Sequence, residues 1–137
     1  MVKCASENAA ISCILRLAVA VLFGVAAYDK FAGGLENVVV NFQAMFKDTW
    51  LPMPLVVLHA RLTPWIEAVI ALWLLSGIKL KCAWTLTALF TISLAFGMLV
   101  AKQGAVVANI YVYILLCCVG LYFSQYDTCS IDKLSKK

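Results

Sequence analysis

Glu67 lies in the stretch "TPWIEAVIALWLLSGIKLK" (63 to 81), a carboxylate in an otherwise apolar run, and Arg16, His59 and Arg61 are similarly placed inside or at the edge of such runs. An ionisable side chain at the centre of a membrane span costs about 2.5 to 3.5 kcal/mol on insertion scales, so it normally faces a bundle interior or water and has a partner. The chemistry open to Glu67 is proton handling or an ion pair. At about 1.5 Å per residue, Arg16 sits roughly 7 to 8 Å from the inner end of the first apolar run and Glu67 roughly 15 to 17 Å from the inner end of the second. The long stem of Arg16 brings an Arg16 to Glu67 pair within reach. Such a pair either pins two helices together or sets the charge state of a working carboxylate, and both readings stay open.

A second polar set gathers nearer the outside: Asp29 and Lys30 at the end of the first run, His59 and Arg61 at the start of the second, and Asn109 at the start of the fourth. His59, Thr63 and Glu67 follow i, i+4, i+8 and share one broad helix face. A matching stripe of Asn109, Tyr113, Cys117 and Gly120 runs along the fourth helix. Two such stripes facing each other would enclose a ligand-sized cavity. Plainer roles are available: Arg61 and Lys30 snorkelling to headgroups, and His59 as an interfacial residue. Thr87, Thr91, Ser93 and Gly97 suit close helix packing. Trp50, Trp65, Tyr122 and Tyr126 suit interfacial anchoring.

The elements that must hold these residues follow from composition. The chain of 137 residues is 64% hydrophobic and 13% charged, with mean hydropathy +0.95. A soluble domain is closer to half apolar and a quarter charged. Four apolar blocks, 11–31, 55–78, 82–100 and 105–124, are each about 20 residues, the length of helix that crosses roughly 30 Å of hydrocarbon. The expected fold is all-α, a polytopic membrane four-helix bundle forming one domain over residues 1–137. "VAA" in the first block resembles a cleavage signal, but Arg16 interrupts the apolar core, so the block reads as an uncleaved span. With the N-terminus inside, Lys3, Lys79, Lys81, Lys133, Lys136 and Lys137 lie at inner ends, against Lys30, Lys47 and Lys102 outside. The positive-inside rule therefore places both termini in the cytoplasm. The net charge of +4 is met by anionic lipid and calls for no nucleic-acid partner.

Residues 32–54 form the one real loop. In it Leu35, Val38, Val39, Phe42, Met45 and Phe46 recur at helical spacing, which predicts an amphipathic helix on the outer surface between spans one and two. Gly33 and Gly34 supply the turn before it. A helix from Pro64 to Ile78 would be only about 22 Å long, so one span from about Leu55 bent at Pro64 is favoured, with Thr63 capping a shorter span as the alternative. The tail "QYDTCSIDKLSKK" reads as a short, frayed cytoplasmic end.

Six cysteines invite a redox or metal reading, but there is no C-x-x-C pair and only one histidine. Cys4, Cys13, Cys82 and Cys129 fall at cytoplasmic ends and Cys117 and Cys118 in the inner half of the fourth span, the reducing side, which favours packing over disulfides. No phosphate loop, nucleophile elbow, haem-ligand histidine pair or H-E-x-x-H occurs, so hydrolase, nucleotide enzyme and cytochrome are disfavoured and no metal site is expected.

The first span, "ILRLAVAVLFGVAAYDKFAGG", the Phe-containing loop ending in Pro, and "LTPWIEAVIALWLLSGIKLK" together resemble the DoxX family of small four-helix membrane proteins over roughly residues 14–124. The methylamine-utilisation MauE proteins share that plan, as does the DoxD-type subunit of thiosulfate:quinone oxidoreductase. The resemblance marks Arg16, Lys30 and Glu67 as positions matching the family pattern, and implies a role near membrane redox chemistry with quinone as the candidate cofactor. The expectation is a small inner-membrane subunit of a larger quinone-linked complex. Glu67 would handle protons, Arg16 would hold its charge state, and His59 or Asn109 would bond a quinone carbonyl, with Lys30 and Arg61 nearby. The alternative is a non-catalytic accessory subunit packed on the periphery of that complex.

Overall fold

Apolar runs of this length have no hydrophilic face to present to water, and all four become long helices. The computed structural model describes the backbone of residues 2–127 and the side chains from Glu7 onward. Expectations for the side chains of Lys3, Cys4, Cys129, Lys133, Lys136 and Lys137 lie outside the described residues. The elements are α1 (Val2–Ala32), α2 (Leu35–Phe46), α3 (Met53–Ser76), α4 (Leu80–Val100) and α5 (Gly104–Phe123), followed by a 3₁₀ turn, Ser124–Tyr126.

Helices α1, α3, α4 and α5 are each long and apolar enough to cross a membrane. Their surfaces agree with that reading: Ile14, Leu72 and Leu115 are 65%, 68% and 65% exposed, an arrangement costly in water and neutral in lipid. The first helix begins well before residue 11, the expected start of the span. Ala9 in these extra turns and Ser12 just inside the expected span are both buried.

Helix α3 runs unbroken through Pro64 from Met53 to Ser76, so the reading of one span from about Leu55 holds over the capped alternative. Proline removes one backbone donor from the ladder. Immediately before it, Thr63 Oγ1 donates one turn back to the carbonyl of His59 at 2.8 Å, a bond available to a hydroxyl in a place without water. The helix stops at Gly77, whose φ of 70° is left-handed and whose N–H closes on Trp73 O.

Helix α1 packs most extensively on α3, and α4 on α5; α1 with α5 and α3 with α4 make the thinner sides of the bundle. A Cβ placed on Gly24 would lie 3.7 Å from Ala71 Cβ, so α1 and α3 cross closely there. Val19, Phe23, Ile70, Leu74, Trp84 and Cys117 fill the core around this contact. Helix α2 lies chiefly against α3. The six apolar positions that predicted its amphipathic character are its covered or half-covered face, while Glu36, Asn37, Asn41 and Gln43 are exposed.

Candidate functional site

Glu67 is the buried acid of α3, with a side chain only 5% exposed, and its partner is Lys30 of α1. Lys30 Nζ donates to both carboxylate oxygens, at 2.7 Å to Oε1 and 2.6 Å to Oε2. It also reaches the carbonyl of Ala26 one turn back at 3.4 Å. Side chains on a helix lean toward its N-terminus, so Lys30 turns down into the bundle instead of snorkelling out of it. At 26% exposure Lys30 is the wetter of the two. Beside the pair is a cavity of about 320 Å³ lined by Glu67, Asp29, Phe23, Thr91, Ile110 and Tyr113. Asp29 is exposed, so this cavity joins a buried carboxylate to the surface of the bundle.

The expected Arg16 to Glu67 pair does not form. With Gly24 opposite Ala71, one turn along the antiparallel helices sets Glu67 opposite Tyr28, while two turns the other way carry Arg16 past the end of α3. Counting each residue from its own helix end misplaced this register, because α1 starts earlier than its apolar block. Arg16 instead contacts Asp127 Oδ1 through Nη1 at 3.5 Å, and Ser12 Oγ donates to Asp127 Oδ2 at 3.2 Å. All three side chains are buried. Asp127 and Ser12 were not singled out from the sequence, since "QYDTC" looked like a frayed tail. The available signal was charge complementarity: a buried arginine at one end of a bundle demands an acid at that end.

The two polar stripes do not line a single chamber. Glu67 and Tyr113 share the cavity just described, but Cys117 packs in the core and Gly120 faces Trp84. Asn109 is exposed and lines neither that cavity nor the one at His59; inward-facing Val107 and Ile110 put it on the outer side of α5. His59 is half-buried between the rings of Phe42 and Phe90, each with its centroid 6.5 Å away. It lines a separate cavity of about 290 Å³ between α2, α3 and α4. Arg61 is exposed and meets Glu36 of α2 at 3.7 Å, also an exposed residue, which ties the two helices loosely. Adjacent Cys117 and Cys118 point apart, one buried and one exposed. Among the described residues no group of three or more His, Cys, Asp and Glu side chains is placed to hold a metal ion.

A family model described as Methylamine utilisation protein MauE matches residues 8–109, which takes in α2, α3, α4, nearly all of α1 and the start of α5. Lys30, His59 and Glu67 fall within the match, and Asp127 falls beyond it. No curated protein and no solved structure matches the chain.

Proposed function

The chain belongs to the methylamine utilisation protein MauE family, and from that premise we propose that it is a small multi-pass membrane component of a redox system in which Glu67 handles protons. The finer reading is a quinone-linked, DoxX-like subunit in the inner membrane with both termini cytoplasmic, working within a larger complex. One observation carries the proton role: a carboxylate deep in a membrane helix, neutralised by a single lysine, sits on a cavity that reaches the surface at Asp29. Intramembrane acids in such positions mark proton or substrate paths. In this scheme a proton entering past Asp29 is taken up by the Glu67 carboxylate. The Lys30 ammonium then holds the adjacent positive charge, and release of the proton restores the pair.

The cavity fits this role without a metal or haem, and a quinone headgroup at its mouth would be the proton's source or destination. Glu67→Gln keeps the side chain's shape and its hydrogen bond from Lys30 while removing the exchangeable proton. Quinone-linked oxidation in membranes carrying that variant, measured at unchanged protein level, should fall at least about tenfold, a range typical of a lost acid–base group. Wild-type turnover would remove the proton role. The accessory-subunit reading would then stand, supported by the closed bidentate contact of Lys30 on Glu67, which is what a purely structural clasp looks like.

A further inference from the structure

The cavity at His59 lies outside this scheme. It is roofed by α2, floored by α3 and α4, and walled by Phe42, Phe46, Phe96 and leucines. Phe46 is fixed, 4% exposed, with its ring tip 3.5 Å from where a Cβ on Gly97 would stand. Trp50 stacks edge-on against Phe96 near the end of α2, centroids 6.5 Å apart. Two polar side chains reach this lining. Ser93 Oγ already donates to the carbonyl of Phe90 at 2.7 Å. The His59 imidazole has ring neighbours on two sides and no hydrogen bond to any described residue. A half-buried imidazole lining an apolar cavity in this way has hydrogen-bonding capacity open to a ligand.

We propose that this cavity binds a neutral, membrane-soluble ring carrying one hydrogen-bonding oxygen, with His59 as the group that reads the oxygen. The ring is indicated by the aromatic walls, which favour offset and edge-on contacts. Neutrality is indicated by the lining, in which His59 is the one ionisable side chain. The volume of about 290 Å³ suits one substituted ring with the start of a tail, and a bare acyl chain would leave the imidazole unmatched. His59 and Glu67 are two turns apart, about 12 Å along α3, and open to different cavities. The inference therefore stands apart from the proton role.

The test is equilibrium binding of 4-decylphenol and of decylbenzene to the full chain in phosphatidylcholine nanodiscs, against empty nanodiscs. Saturable binding of the phenol, about tenfold tighter than decylbenzene, is expected, equivalent to about 1.4 kcal/mol. His59→Leu should bring the two affinities together, chiefly by weakening the phenol. Ser93→Phe, at an exposed position on the cavity wall, should remove saturable binding of both. Glu67→Gln should leave phenol binding unchanged. Equal affinity of wild type for the two probes would mean an acyl-chain crevice and would overturn the proposal. So would phenol binding no greater than to empty nanodiscs, or a phenol preference unaltered by His59→Leu.

Discussion

Lys30 and Glu67 form a pair whose members depend on each other unequally. Glu67 is the deeper, so loss of Lys30 strands a charge where water is scarce, whereas loss of Glu67 leaves a lysine with a 26% exposed side chain. Breaking a buried pair from one side costs about 3 to 5 kcal/mol in soluble proteins. Lys30→Met is expected to destabilise the bundle by a sizeable part of that. Adding Glu67→Leu should restore most of it, a non-additivity read from detergent or thermal unfolding of the two single variants and the double. Simple addition of the two costs would show that the contact contributes little. That Glu67 needs a cation was legible in its surroundings in the sequence. Which cation it takes was not, because the choice depends on the register of two helices, set where Gly24 approaches Ala71 one turn from Glu67.

Among the elements, the extensive α4–α5 packing includes one especially tight contact. A Cβ on Gly120 would fall 2.5 Å from the ring of Trp84, which is itself 1% exposed and hemmed in by the core. Neither a rigid ring nor the helix backbone yields cheaply, and overpacking of this kind costs about 1 to 3 kcal/mol. Gly120→Ala should lower the midpoint of thermal unfolding clearly, while Gly104→Ala, where nothing lies within 4 Å of an added Cβ, should not. Equal midpoints for the two variants would refute the wedge. Periodicity and length made the helices themselves legible: the four apolar blocks and the α2 stripe correspond to the observed elements. The cavity beneath α2 was not legible, since it depends on Phe42, Phe46 and Phe96, residues that look like ordinary packing until α2 is laid over α3 and α4.

For the molecule as a whole, hydropathy set the architecture, and charge sets the proposed orientation. Lys47 and Lys102 are exposed at the α2 end, Lys79 and Lys81 at the other. With both termini inside, a membrane-impermeant amine reagent should label Lys47 and Lys102 on intact cells and reach Lys79 and Lys81 only after lysis. The reverse pattern would invert the topology. The bundle is also closed end to end, because Asp127, beyond the last long helix, meets Arg16 in the first at a separation of 111 residues. Membrane helices emerge in order, so Arg16 enters the bilayer while its acid has yet to be synthesised. This contact therefore forms only once the chain has been made to residue 127. A chain stopped at residue 126 keeps all four spans but lacks the Asp127 contact to Arg16 and Ser12, and pulse-chase should show it degraded faster than one stopped after Asp127. Equal lifetimes would mean that the quality-control machinery does not read this contact.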